Sequence, residues 1–191
     1  MPMTYSYRGI SDAEIPRAAL PLLQHALDTY ASETNKVGAV WSCFSDDDLG
    51  FRPHEKSSTV GEIVRHQLLS ERRFFGEFLG STEPAADRVV PAPLSVQACV
   101  DRQRELAVAR LDFLASRDAN WWTTPATFFD VTRERIWIFW RRLLHTAHHR
   151  TQLAVYLRLL DRPVPPIYGP TADVSWTGAD PTTTVSAAAR R

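Results

Sequence analysis

The chain has 191 residues, of which 44% are hydrophobic and 23% are charged, as in ordinary globular proteins. Basic and acidic side chains number 22 each, so no overall basic field favours nucleic acid or an anionic membrane. There is no signal-peptide pattern and no run of about 18 apolar residues. Two cysteines, Cys43 and Cys99, are too few for a disulfide framework. We therefore expect a cytoplasmic protein with reduced thiols that binds neither nucleic acid nor membrane.

The first half of the chain predicts two long helices. The first spans residues 17–44, although Pro21 fits a first-turn position and moves the true start later. The second spans residues 60–79. Its start is well marked, because Thr59 and Glu62 have the spacing of a capping box in front of an apolar face with helical periodicity.

The second half predicts two more helices, each preceded by an irregular connector. The third helix spans residues 96–116, with Ser95 as its N-cap. The fourth spans residues 133–160, and its apolar side chains lie nearly all round, which is typical of a central and largely buried helix. The connectors cover residues 80–95 and 117–130. The aromatic side chains of the second either pack on the helices or form the wall of a pocket.

These elements predict an all-α protein, since no strand pattern separates the four amphipathic helices. Residues 1–162 are predicted to form a four-helix bundle. Residues 163–191 are rich in Pro, Thr, Gly and Ala, and are predicted to form an extended tail that is packed on the bundle or trails from it. The long connectors leave the order of the helices around the bundle open.

The fourth predicted helix carries an unusual cluster of histidines in the stretch RLLHTAHHRTQLAVYLRLL. His145 and His149 are four residues apart, so they share one face and can bind one ion. Gln152 and Tyr156 continue this polar stripe, whereas His148 points about 100° away from His149. Because polar groups are costly to bury without partners, the stripe indicates a functional site.

Two histidines need a third ligand to form an open catalytic metal site. His66 belongs to a polar stripe on the second helix, and that pattern is equally typical of a solvated face. Periodicity alone does not choose among the candidates for the third ligand, which are His25, His54, His66 and the carboxylate of Glu62.

Two segments about 80 residues apart, TVGEIVRHQLLSERRFF and LLHTAHHRTQLAVYLRLLD, resemble the DinB/YfiT-like family of bacterial four-helix proteins. The resemblance covers about residues 15–162. It implies a four-helix bundle, often a homodimer, that binds a divalent metal, most commonly nickel or zinc and alternatively iron or manganese. The metal ligands that it implies are His66, His145 and His149.

The resemblance also implies a choice of activities. Several family members are similar to S-transferases that use the thiols mycothiol, bacillithiol or glutathione; others resemble a maleylpyruvate isomerase or metal hydrolases. Relatives often carry glutamate directly after the first histidine of the pair, where this chain has Thr146 after His145. They also often carry glycine where this chain has Thr151 after Arg150. The missing acid removes a water-activating base from that place. This favours a thiol S-transferase, because a metal deprotonates a bound thiol without such a base.

Three functions therefore stay open. In the S-transferase, a three-histidine metal site activates a low-molecular-weight thiol, and Arg141 or Arg142 binds carboxylates of a small-molecule substrate. In a hydrolase, a water molecule activated by the metal attacks the substrate, with Glu62 as the base, although Glu62 is also explained by its helix cap. A metal-binding protein without enzymatic activity is the third alternative. Glu62, Arg141 and Tyr156 are the candidate catalytic residues.

Overall fold

The computed structural model describes residues 8–173, and helices dominate it. The predicted all-α fold is confirmed: four long helices form a bundle, and a fifth short helix and a two-stranded hairpin lie in the last connector. None of the helices in residues 8–173 is both long and apolar enough to cross a membrane. The elements in chain order are α1 (Gln24–Trp41), α2 (Val60–Arg73), α3 (Val96–Ala115), α4 (Ala119–Thr123), β1 (Pro125–Phe128), β2 (Val131–Glu134) and α5 (Arg135–Leu159).

Helix starts follow the capping residues of the sequence. The Thr59 hydroxyl accepts a hydrogen bond from the Glu62 amide at 3.1 Å, and the Glu62 carboxylate accepts one from the Thr59 amide at 2.7 Å. This capping box begins α2 at the predicted residue. The Ser95 hydroxyl accepts from the Ala98 amide at 3.3 Å and begins α3. Helix α1 starts later than residue 17, after a 3-10 turn at Pro21–Leu23, since proline is accommodated in a first turn.

The helices do not follow one another around the bundle. Helix α1 packs mainly against α3 and α5, and α2 packs mainly against α5. Consecutive helices α1 and α2 therefore lie across the bundle from each other, as in bundles with a crossover connection. Helix α2 continues beyond Arg73 as a π-helical turn, Phe74–Phe78. The packing of α2 on α5 is the feature that positions the site described below.

The prediction that residues 117–130 are irregular is wrong. They contain α4, and β1 pairs with β2 in an antiparallel hairpin in which Phe128 lies opposite Val131. Each strand has only four residues, too few for an alternating pattern to stand out. The two-residue loop also hides its turn signal, because Phe129 has a φ of 53°, at a position where hairpins usually carry Gly, Asn or Asp.

The prediction that the last helix is largely buried is wrong in part. Leu144 is 66% exposed and Val155 is 54% exposed. The inward face of α5 is taken instead by two arginines, Arg142 and Arg150, which are each 1% exposed and are paired with glutamates of α2 and α1. A pattern that counts only apolar residues places such arginines outside, because an arginine is rarely buried unless it is paired.

The chain that follows α5 returns to the bundle through Tyr168. Its hydroxyl donates to the carboxylate of Glu33 in α1 at 2.9 Å and accepts from Arg150 at 2.8 Å. Lys36 and Arg150 also bind Glu33, so Tyr168 covers a buried ionic cluster. Of the predicted tail, residues 174–191 lie outside the described part of the chain, and the division after residue 162 stays a prediction.

Candidate metal centre

Histidines from α2 and α5 meet at one point of the bundle. One ring nitrogen from each of His66, His145 and His149 lies within 4.8 Å of the other two. The Nε2 atoms of His66 and His145 are 3.4 Å apart. Two metal–nitrogen bonds of about 2.1 Å at a tetrahedral angle separate their nitrogens by about 3.4 Å. This three-histidine cluster is therefore compatible with a bound metal ion, which the spacing within α5 alone did not establish.

Local structure fixes these three positions. The capping box fixes where α2 begins, and burial of the apolar face that carries Val64 and Leu68 orients the helix. His66 therefore lies on the exposed side and reaches α5 across the groove between the helices. On α5, one turn separates His145 from His149, and their ring centroids are 4.7 Å apart. The polar stripe on α2 is thus solvated on one side and faces the histidines of α5 on the other.

All three imidazoles are held in the neutral form that metal binding requires. Burial, followed by the positive charge of Arg142, lowers the pKa of His66 and lowers that of His145 to about 3. Burial also lowers the pKa of His149, against a hydrogen bond to Gln152 that raises it. Protons therefore compete weakly with a metal ion at neutral pH.

Gln152 and Tyr156 orient His149. The Oε1 atom of Gln152 can only accept, so the His149 Nδ1–H donates to it at 3.1 Å, which leaves Nε2 with a free lone pair. The Gln152 amide donates to the Tyr156 hydroxyl at 3.2 Å, and this hydroxyl donates to the Ser58 carbonyl at 3.2 Å. The buried Tyr156 is thus connected to the cluster through Gln152.

Arg142 contacts His145 from the opposite side, and this contact competes with a metal. The Arg142 Nη1 donates to the His145 Nδ1 at 3.0 Å. Because arginine cannot accept, the proton of the neutral ring is on Nε2, the atom that faces His66. Ligation through that Nε2 requires the proton to leave it and the Arg142 contact to change. The donor set fits a divalent ion in number and spacing, with this one competing interaction.

Arg142 is held by a buried ionic network that the sequence did not reveal. Its guanidinium lies 3.2 Å from the Glu71 carboxylate, which also binds Arg110 at 3.3 Å and accepts from the Tyr30 hydroxyl at 2.6 Å. Arg110 in turn pairs with Glu83 at 2.7 Å. Burial alone would raise the pKa of Glu71, but the charges of Arg142 and Arg110 lower it. A charged core therefore supports the histidine side of α5.

An open pocket adjoins the cluster, with a volume of about 550 Å³. We call it the hairpin pocket, because the end of β1 and the hairpin loop form one wall. The aromatic side chains of the second connector were predicted either to pack on the helices or to form the wall of a pocket. They do both, since Phe128 is buried, Phe129 is exposed, and both line the pocket. The lining residues are His66, Leu69, Ser70, Arg73, Phe74, Phe128, Phe129, Arg141 and His145.

The other sequence candidates lie apart from the cluster. His25 stacks on Trp140, and His54 accepts a hydrogen bond from the Lys56 amide in a loop. His148 is exposed beside His149. Glu62 uses its carboxylate in the cap of α2, and hydrogen bonds from Thr59 lower its pKa. Of the predicted catalytic residues, Arg141 is therefore the one that lines the pocket.

The lowered histidine pKa values predict how stability depends on pH. In the metal-free protein, the unfolded chain takes up protons below about pH 6.5, whereas folded His145 does so only near its pKa of about 3. The free energy of unfolding should therefore fall as the pH drops through this window. Urea titrations between about pH 7 and about pH 5 measure it. A His145→Gln variant, which cannot take up this proton, should show a shallower fall; an equal slope would contradict the lowered pKa.

Comparisons with known proteins agree with this architecture. A family model described as the DinB superfamily matches residues 30–153. The crystal structure of a DinB-like protein from Bacillus cereus is similar at 23% identity and a TM-score of 0.65, over 75% of this chain and 95% of that one. A DinB-like protein from Bacillus subtilis, YjoA, is similar at 19% identity and a TM-score of 0.60, over 76% and 96%. These two likenesses concern the fold. No protein with a curated description matches.

Proposed function

Because the chain belongs to the DinB superfamily, we propose that it is a metal-dependent thiol S-transferase in which His66, His145 and His149 hold a divalent ion, nickel or zinc. The observation that carries the proposal is the convergence of three neutral imidazoles beside an open pocket. Such a set leaves coordination positions for a small molecule. When bound, the ion would lower the pKa of a thiol that enters there.

The groups around the cluster support a thiol more than a water molecule as the nucleophile. None of the residues that line the hairpin pocket is an aspartate or a glutamate. The buried Thr146 takes the place next to His145 where the family resemblance implies a glutamate in many members. Hydrolysis benefits from a general base, and Glu62 is engaged in its cap. A thiolate attacks an electrophilic carbon without one. Arg141 offers a guanidinium for the carboxylate of either substrate.

Thiol binding to the metal-loaded protein tests this function. Cobalt(II) or nickel(II) is added to the purified protein, and elemental analysis verifies that it is retained. Glutathione or 2-mercaptoethanol should then produce a near-ultraviolet thiolate-to-metal charge-transfer band that saturates with thiol. S-methylglutathione is the matched control and should give no band, because its sulfur cannot become a thiolate. A loaded protein that gives no band with either thiol would contradict the transferase and favour the hydrolase or a non-enzymatic role.

We also propose that the protein is a homodimer. Trp137, Leu144 and Val155 are 41%, 66% and 54% exposed, and their spacings of seven and eleven residues place them on one side of α5. An exposed apolar stripe of this kind supports contact between two copies. Light scattering coupled to gel filtration should give twice the mass of the chain, and a Leu144→Asp variant should shift the mass toward one chain. A wild-type protein with the mass of one chain would rule the dimer out.

A further inference from the structure

The hairpin pocket has an apolar wall that suits a flat ring. The side chains of Phe74 and Phe128 have ring centroids 5.5 Å apart, and Phe128 and Phe129 are 4.8 Å apart and nearly perpendicular. Leu69 extends this apolar wall from α2. The volume of about 550 Å³ is within the usual range for sites that hold a small organic molecule. Phe74 also lies 6.0 Å from the ring of His145, so the wall leads directly to the cluster.

The pocket also contains one positive charge that nothing neutralises. Within residues 8–173, Arg141 makes no ion pair and no hydrogen bond through its side chain. Arg73, the other lining arginine, pairs with Glu77 at 2.8 Å. Since the lining contains no carboxylate, Arg141 is free to bind the anionic group of a ligand in the bidentate geometry that arginine and carboxylate share.

Phe129 is an independent sign that this wall recognises a ligand. It is a bulky residue in the left-handed region, with a φ of 53°, which costs on the order of 1–2 kcal/mol relative to glycine. The residue is nevertheless 54% exposed, although its ring also contacts those of Phe78 and Phe128 at 5.0 and 4.8 Å. The guanidinium of Arg73 lies 5.0 Å from the ring and holds it at the pocket. Residues with a strained backbone cluster at functional sites, and this supports a ligand-binding role for the wall that Phe129 belongs to.

We propose that the electrophilic substrate of this site is an α,β-unsaturated monocarboxylate with a flat apolar ring, bound with its carboxylate on Arg141 and its ring against Phe74, Phe128 and Phe129. The thiol sulfur would bond to the β-carbon, the C=C π bond would open, and the thiol proton would end on the α-carbon, so that nothing has to leave. This inference rests on the transferase function proposed above for the reaction, but the recognition itself needs only the pocket. One free guanidinium selects a single negative charge, and the aromatic wall selects a flat apolar body. The same seating brings the conjugated carbons toward the imidazoles of His66 and His145.

Calorimetric titration of three related probes tests the recognition without any thiol. Cinnamate has the ring and the charge, cinnamamide has the ring alone, and acrylate has the charge alone. The titrations are made with the nickel-loaded protein and repeated without metal. We expect cinnamate to bind at least about tenfold more tightly than either analogue, since each lacks one of the two contacts. Equal affinities for cinnamate and cinnamamide would show that the charge plays no part in recognition. Equal affinities for cinnamate and acrylate would show that the ring plays none.

Variants locate the two contacts. Arg141→Gln should weaken cinnamate about tenfold and leave cinnamamide unchanged, and Phe129→Ala should weaken both ring-containing probes severalfold. Two matched controls should change the affinity for neither probe. Arg158→Gln removes an exposed arginine about 25 Å further along α5, and Leu22→Ala removes an apolar side chain that is 77% exposed and lies outside the pocket. Unchanged cinnamate affinity in Arg141→Gln would overturn the proposal. Selective cinnamate binding without a thiol charge-transfer band would instead contradict only the transferase.

Discussion

Replacing His149 with alanine is expected to lower the affinity for nickel or zinc by at least about 100-fold. His149 supplies one of only three clustered ring nitrogens, and its Nε2 is the free one because Nδ1 is bound to Gln152. Loss of residues that merely orient a metal ligand typically costs 10–100-fold, so loss of a ligand should cost more. Competition titrations with a coloured chelator measure the affinity, and elemental analysis gives the metal content after gel filtration.

The neighbouring His148 provides the control for this variant. It is the same residue type, adjacent in sequence and exposed, and it is not one of the three histidines whose ring nitrogens cluster. His148→Ala should bind metal within about twofold of the unchanged protein, as surface substitutions do. The assignment of the ligands would be contradicted if His149→Ala kept its metal affinity, or if both variants lost metal affinity equally.

Replacing Glu71 with glutamine should destabilise the protein by about 3–5 kcal/mol, because it removes the negative charge between two buried guanidinium groups. The side chains of Arg110 and Arg142 are 2% and 1% exposed, and both pair with Glu71. Glutamine keeps the size of the side chain, so the loss reports the charge and not a cavity. Urea titration at neutral pH gives the free energy of unfolding.

Glu77 is the matched control for Glu71. It also pairs with an arginine on the same helical segment, but the side chains of Glu77 and Arg73 are about half exposed. Glu77→Gln should change the free energy of unfolding by about 0.5 kcal/mol or less, as is usual for exposed pairs. A loss of that small size in Glu71→Gln would show that the buried network contributes little to stability.

The sequence was sufficient for the helices because their ends are set by local interactions. Thr59, Glu62 and Ser95 satisfy backbone groups within three residues of themselves, so their spacing predicts a helix start without knowledge of the fold. The pairing of His145 with His149 is equally local. These features need no information about which helices become neighbours.

The third histidine and the charged core depend on packing between helices, which periodicity does not encode. His25, His54 and His66 are all histidines, and the sequence pattern does not show which of them is a ligand. The packing of α2 on α5 brings His66 to the cluster. Arg141 and Arg142 are adjacent in sequence, yet one lines the pocket and the other reaches Glu71, 71 positions away. The family resemblance identified His66 as the third ligand. No signal in the sequence distinguished the exposed Arg141 from the buried Arg142.

The hairpin gives this protein two parts that can change separately. The three histidines lie on long helices that are held together by buried ion pairs and apolar packing, whereas part of the facing wall is carried by a hairpin of eight strand residues and a two-residue loop. Grafting a different loop between Pro125 and Glu134 should therefore alter which molecules are accepted and leave ion affinity intact. Natural or laboratory selection can then change which substrates bind without changing the histidine cluster.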